Sequence, residues 1–322
     1  MGLAIGVDIG GTKVAAGVVD DAGRVVDLER RDTPGDDVAR TEATIVDAVR
    51  ALAARHDVSA VGVGAAGWIA SDRATVLFSP HLAWRNEQLR DALAARIDIP
   101  LTVENDANAA AWAEYRFGAA RGERVAVCVT LGTGIGGGLV ADGSLFHGGF
   151  GVACEYGHMT LVPDGRRCAC GNRGCWEMYA SGRALARDAR ELAAESPVAA
   201  AAMVELAGGA QRLSGPIVTA AAAAGDPAAM SICTTVGRWL GRGLASLAAV
   251  LDPSVFVIGG GVSAVGELLL APARAEFADS LPGRGFRPEA NVVAATLGPE
   301  AGLVGAADLA RGAGRRAAGS VG

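Results

Sequence analysis

The sequence lacks a basic face. Its 29 Lys+Arg stand against 35 Asp+Glu, giving a formal net charge of −6 and a pI of about 5.3. A nucleic-acid backbone is held by clustered cations, so nucleic acid is excluded as the main partner. The locally basic stretch, Arg311, Arg315 and Arg316, sits among Gly, Ala and Ser and reads as a frayed C-terminus. No targeting segment is expected either: "MGLAIGVDIGGTK" reaches Asp8 before an apolar core forms, with no basic residues ahead of it. Gly2 is no myristoylation signal, because position 6 is Gly where Ser or Thr is needed. The most apolar long stretch, 217–250, is broken by Asp226, Pro227, Arg238 and Arg242, so no membrane span is expected. A cytoplasmic location is the resulting expectation. Thiols stay reduced there, which makes clustered cysteines metal ligands more readily than disulfides. There is no G-x-x-x-x-G-K-[ST] phosphate loop, no low-complexity tract and no linker-like stretch.

What is present is ordinary in bulk: 322 residues, 51% apolar and 20% charged, long enough for two lobes. The N-terminus reads strand, turn, strand, turn, strand ("LAIGVDIG", "KVAAGVVD", "RVVDLERR"), and the pattern recurs in "RVAVCVTLGTGIGGGLVADGSLF". One unit is used twice. Helices are expected over 41–56, with Thr41 as cap, over 86–96, from "ANAAAWAEYRFG", and over about 181–206, 216–224, 227–250 and 300–311. "VSAVGVGAAG", "PLTVEND", "PSVFVIGG" and "NVVAATLG" read as further strands. Strands alternating with helices predict α/β lobes with mixed sheets and a cleft between them. The expected division is a small lobe over 1–109 and a large lobe over 110–299, with a C-terminal helix over 300–317 packing back on the first.

Three glycine turns come after strands: Asp8–Lys13 with Gly10, Gly11 and Thr12; the turn holding Gly132, Thr133 and Gly134; and Gly259, Gly260 and Gly261. Glycine lets backbone N–H groups approach a phosphate, threonine adds a donor, and the third turn is expected to place a helix N-terminus at the anion. Tight turns alone would look similar. Gly132, Gly134 and Gly137 match G-x-G-x-x-G but are followed by a strand; Gly259, Gly261 and Ala264 match its Ala variant before a helix, which keeps a NAD enzyme open. Asp8 is placed to hold Mg²⁺ beside phosphates, or to cap a turn. In "LTVENDANAAAWAE", Asp106 is either the N-cap of the next helix or a proton acceptor, with Asn105 orienting a hydroxyl. His158, Cys168, Cys170 and Cys175 offer four N/S ligands, which suits a closed, structural zinc site; a redox C-x-C pair is the competing reading. Glu155 and Glu177 flank this loop and suit sugar hydroxyls. Cys128, Cys154 and Cys233 lie in apolar runs and read as buried fillers.

Together "DIGGTK", "ENDANAAAWAE", "LGTGIGGGLV", "EYGHM", "CACGNRGCWE" and "VIGGGV" resemble the ROK family of sugar kinases along the whole chain, and within it the bacterial glucokinases. The most specific element is the family's CxCGxxGCxE signature, matched in full by Cys168 to Glu177. The resemblance implies a two-lobed, actin-like ATPase fold of two ribonuclease-H-like halves, with duplicated β-hairpin phosphate turns and an interlobe cleft. It implies transfer of a phosphoryl group from ATP, with Mg²⁺, to the 6-hydroxyl of glucose, with Asp106 as general base. Hexose hydroxyls fall to Asn105, Asp106, Glu155, His158 and Glu177, phosphates to the two Gly/Thr turns, adenosine to the 259–261 turn, and structural Zn²⁺ to His158, Cys168, Cys170 and Cys175. Gly64 and Ala65 are the implied backbone contacts to sugar, although the loop "GAAGW" lacks the Pro-Gly pair common in the family. A kinase for N-acetylmannosamine, fructose or mannose, or a sugar sensor without turnover, are the alternatives. A homodimer or homotetramer is expected. The family's repressors carry a winged helix-turn-helix, for which this sequence shows no module.

Overall fold

The computed structural model describes residues 2–319, with side-chain surroundings through Ala313. The elements run β1 (Leu3–Ile9), β2 (Lys13–Val19), β3 (Val25–Asp32), α1 (Val38–Ala53), β4 (Val58–Ala65), β5 (Trp68–Ile69), β6 (Val76–Phe78), β7 (Arg85–Glu87), α2 (Leu89–Ala94), β8 (Leu101–Asn105) and α3 (Asp106–Phe117). They continue with β9 (Val125–Leu131), β10 (Ile135–Ala141), β11 (Ser144–Leu145), α4 (Gly182–Glu195), α5 (Ala201–Ala207), α6 (Gly215–Ala223), α7 (Pro227–Leu251), β12 (Val255–Gly259), α8 (Glu267–Ser280), β13 (Asn291–Ala294) and α9 (Ala301–Gly319). Two five-stranded sheets have orders β3-β2-β1-β4-β8 and β11-β10-β9-β12-β13. Each is a meander of three strands extended by two parallel ones, so the recurrent hairpin seen in the sequence is a recurrent sheet. This is the duplicated ribonuclease-H-like pattern of the actin-like ATPase fold. A small sheet, β5-β6-β7, has strands of two or three residues and was not expected.

The chain forms two compact units: unit 1 is Met1–Gly122, Gly138–Cys154 and Thr296–Gly322, and unit 2 is Glu123–Gly137 and Glu155–Ala295. In unit 1, α1 buries Ile45, Val46, Val49 and Leu52 with Ile5, Val7, Val14 and Val61. Its apolar residues recur at helical spacing, and Asp37 starts the helix by accepting from Arg40 N at 3.0 Å. Thr41 is therefore not the cap. It lies one turn inside and donates its hydroxyl to the carbonyls of Pro34 and Asp37.

A second cluster of unit 1 joins α9 to β1, β4 and α3, with Leu303, Val304, Ala307 and Ala310 on Ala4, Val19, Ala60 and Ala113. Backbone approach is so close that a Cβ at Gly6 would run into the Leu303 carbonyl, one at Gly62 into that of Ala306, and one at Gly305 into that of Ala109. Arg311 does not fray. It is buried, donating to Val19 O at 3.1 Å and to Asp308 Oδ1 at 3.2 Å. Arg315 and Arg316 lie outside the described side chains.

In unit 2, α7 starts on Asp226, whose side chain accepts from Ala229 N, followed by Pro227 in the first turn. Gly237 and Gly241 let α8 approach at its Leu269 and Ala273 carbonyls, and Phe256 of β12 meets Phe277 of α8 edge-on at 5.7 Å. Among the described residues no single helix is long and apolar enough to cross a membrane; α6 and α7 pass such a test only as a pair, bent by 116°.

Candidate functional site

In unit 1 the parallel strands β1, β4 and β8 end in register. Asp8 lies beside Gly64 and Gly64 beside Glu104; Ile9 lies beside Ala65 and Ala65 beside Asn105. The register therefore brings the first glycine turn, the Gly64–Ala65 loop and the start of α3 to one sheet edge, where α/β sheets carry their ligands. Gly10 closes the turn by donating to Lys13 O at 3.0 Å, leaving Gly11, Thr12 and Lys13 exposed. Asp8 is half-buried, and burial raises its pKa from 3.8 to about 6.

The helix start departs from the sequence expectation. Asn105 is the N-cap, its Oδ1 accepting from Asn108 N at 2.9 Å, and Asp106 is the first helical residue. Either residue type caps well, so the choice is settled by the strand, which holds Asn105 extended at φ −65°, ψ 142°. Asn105 Nδ2 then donates to Gly67 O and to Asp106 Oδ1, both at 3.0 Å. The side-chain amide orients the carboxylate next to it.

The partners of Glu104 leave no signal in the sequence. Its Oε1 accepts from Asn105 N at 2.9 Å and from Asn108 Nδ2 at 3.1 Å. Its Oε2 meets the Arg73 guanidinium and His147 Nε2, the latter at 2.9 Å. Burial opposes the Glu104 charge, yet the His147 hydrogen bond and Arg73 outweigh it and hold the carboxyl below its usual value. Arg73 and His147 carry no motif, and only the fold brings them to Glu104.

In unit 2 the parallel strands β9 and β12 end together, with Gly259 beside Thr130. The second and third glycine turns thus share a sheet edge. Gly132 N donates to Gly134 O at 3.0 Å. Gly260, at φ 84°, lies where a Cβ would press on the Leu131 backbone at 2.5 Å. The third turn opens a 3-10 turn, Gly261–Val265, and α8 begins only at Glu267. The expected helix N-terminus is therefore displaced from these glycines, and the dinucleotide fingerprint loses the helix it needs directly after the turn.

His158, Cys168, Cys170 and Cys175 converge, with one ligand atom from each lying within 4.8 Å of all the others. Zinc–sulfur bonds of about 2.3 Å in a tetrahedron place sulfurs about 3.8 Å apart. Cys170 Sγ to Cys175 Sγ is 3.6 Å and Cys168 Sγ to His158 Nδ1 is 3.7 Å. The set fits zinc, with all four positions filled by protein. Without metal, burial pushes the Cys168 and Cys175 thiols up, as it does that of Cys233. His158 turns Nε2 toward Glu155 Oε2 at 3.9 Å, the ring nitrogen a metal-bound imidazole leaves for an outer partner. Cys154, expected as a buried filler, is half-buried at φ 70°, unlike the buried Cys128 and Cys233.

The metal loop also braces the second glycine turn. Glu177, which accepts from Cys168 Sγ at 3.1 Å, presses its other oxygen against Gly134, where a Cβ would collide. Behind it, Ser181 caps α4, and Gly182 N and Arg183 N donate to Gly132 O and Thr133 O at 2.8 and 3.3 Å.

A family model described as the ROK family matches residues 4–313. A glucokinase of Streptomyces coelicolor is 49% identical over 97% of this chain and 98% of its own length. An N-acetylmannosamine kinase of Yersinia pseudotuberculosis is 33% identical over 97% of this chain and 99% of its own. Among solved structures, a ROK family glucokinase from Streptomyces griseus in complex with glucose and AMPPNP has 52% identity and a TM-score of 0.90, covering 97% of this chain and 100% of that one.

Proposed function

We propose that this chain, which belongs to the ROK family, is an ATP-dependent glucokinase that phosphorylates the 6-hydroxyl of glucose. The observation that carries the reading is the start of α3, where Asn105 takes the capping role and turns its amide onto Asp106 Oδ1. Asp106 is thereby oriented to accept the proton of an attacking hydroxyl. Asn105 fixes that hydroxyl, with Gly64 and Ala65 as backbone partners from the adjoining loop. Glu155, His158 and Glu177 are the proposed acceptors and donors for the remaining sugar hydroxyls. Gly10, Gly11, Thr12 and Lys13, with Gly132, Thr133 and Gly134, are the proposed phosphate cradle, and Gly259–Gly261 the adenosine turn.

Mg²⁺ bound with ATP supplies charge neutralisation at the transferred phosphate, and Asp8 is the residue placed to hold it. His158, Cys168, Cys170 and Cys175 hold structural zinc, which stiffens the loop bearing Glu155 and Glu177. Catalysis by such residues is mostly positioning and electrostatics.

The deciding experiment is ADP release with Mg-ATP across glucose, mannose, fructose, N-acetylglucosamine and N-acetylmannosamine. Turnover far higher with glucose is the expected result. Preference for N-acetylmannosamine would transfer the assignment to the other relative's activity, and silence on all five would leave a sensor or another phosphate donor. Assembly as a homodimer or homotetramer, and a cytoplasmic location, belong to the same proposal; light scattering at several concentrations decides the first.

A further inference from the structure

We infer that Glu104 is a positioning residue for Asp106, kept as a buried carboxylate by Arg73 and His147 and acting through Asn105. The inference rests on the assignment of Asp106 as base.

Three observations lead to it. First, the helix does not need Glu104 as a cap, because Asn105 already fills that role. A buried carboxylate at this point still draws a guanidinium and an imidazole from distant segments, Arg73 between β5 and β6 and His147 beyond β11. Burying charge is costly unless it is paired, and a neutral side chain would hold a helix start as well. Second, both donors come from constrained backbone. Arg73 is in the left-handed region at φ 55°, unusual for a residue with a long side chain. The loop of His147 is seated on β5 through Gly151, at φ 89°, where a Cβ would lie 2.6 Å from Ile69 O and Ser71 N. Third, the bonds form a directed chain. Glu104 Oε1 fixes the Asn105 N–H and the Asn108 amide; Asn108 N fixes Asn105 Oδ1; Asn105 Nδ2 reaches Asp106 Oδ1.

The charge has a second effect. The ionisable groups on Glu104 are Arg73 and His147, with Asp106 two positions along the chain. With Glu104 ionised, the Arg73 charge is balanced. With Glu104 neutral, Arg73 presents an uncompensated positive field at the start of α3. That field stabilises ionised Asp106 and makes it a weaker base.

The test is Glu104→Gln, with His147→Gln as a milder variant at a half-exposed residue. Glu104→Gln is expected to lower kcat by about 10²-fold, the scale of a misplaced catalytic group, with the sugar KM held within about threefold. The acid limb of its kcat–pH profile should move to lower pH. In an Asp106→Asn background the same change should cost nothing further, since both act through one carboxylate. His147→Gln should show smaller effects of the same sign, and it carries the test alone if Glu104→Gln does not fold. Unchanged kcat and pH profile in the folded variants overturns the inference while leaving the kinase reading intact. A loss of the same size with and without Asp106 also overturns it. A wild-type chain silent on every sugar, or an Asp106→Asn variant with full turnover, removes the base assignment itself and this inference with it.

Discussion

At Asp8 the fold keeps a carboxylate where burial disfavours its charge, with a pKa raised from 3.8 to about 6. The folded state holds the proton more tightly than the unfolded one. Its stabilising share is therefore fully present below pH 3.8 and is lost as pH rises through about 6. Above that, ionised Asp8 costs at most about 3 kcal/mol in the absence of a bound cation. Asp8→Asn should gain thermal stability relative to wild type at pH 8 and lose that gain at pH 4, while weakening Mg-ATP binding. Equal differences in Tm at the two pH values would remove burial as the cause. Asp106→Asn should keep sugar binding and lower kcat by about 10²–10⁴-fold, the usual range for a general base. Both residues were legible as candidates because each stands at the end of an apolar strand and meets a turn or helix. The exchange of roles between Asn105 and Asp106 was not legible, since adjacent residues of equal capping ability differ only in the dihedral angles the strand imposes. Glu104 and His147 are 43 positions apart, and no local pattern joins them.

At the scale of elements, close backbone approach by glycine has a direct test. Gly62→Ala and Gly305→Ala would each drive a methyl into a carbonyl of α9 or α3 and should cost about 1–3 kcal/mol in urea unfolding. Gly149→Ala, facing open space, should be close to neutral. The zinc loop yields another prediction. Cys175→Ser should lose bound zinc on metal analysis, and KM for ATP should rise as well as KM for sugar, because the segment after Glu177 donates to Gly132 and Thr133. An unaltered KM for ATP in the zinc-free variant would show that this bracing is independent of the metal. The glycine turns were readable as turns, but the 3-10 turn after the third was not: the sequence has a helical pattern from Glu267, and the intervening residues leave no periodic trace. Strands β5 to β7 are too short for alternation to show.

For the whole molecule, the duplication was legible because a strand–glycine turn–strand pattern survives in both halves, and the sheets repeat it. The composition of unit 1 from three separated segments was not, because hydrophobic patterning reports which face is buried and not which distant segment covers it. Ligand linkage reads the molecule as one: glucose or Mg-ATP at about a hundred times its Kd should add roughly 2.7 kcal/mol to stability. NAD should add nothing, and a NAD-dependent rise in Tm would reopen the dinucleotide reading of Gly259–Gly261.

The seating of α9 on β1 and β4 also sets an order of events during synthesis. Val19 and Arg311, bonded in the finished protein, are 292 positions apart. At translation rates of about 5–20 residues per second, the first strands wait roughly 15–60 s for the helix that covers them. By then every segment of unit 2 has been made. Unit 1, although begun first, is completed last, and any nascent chain halted before Ala301 leaves its glycine-lined face uncovered, as a client for chaperones.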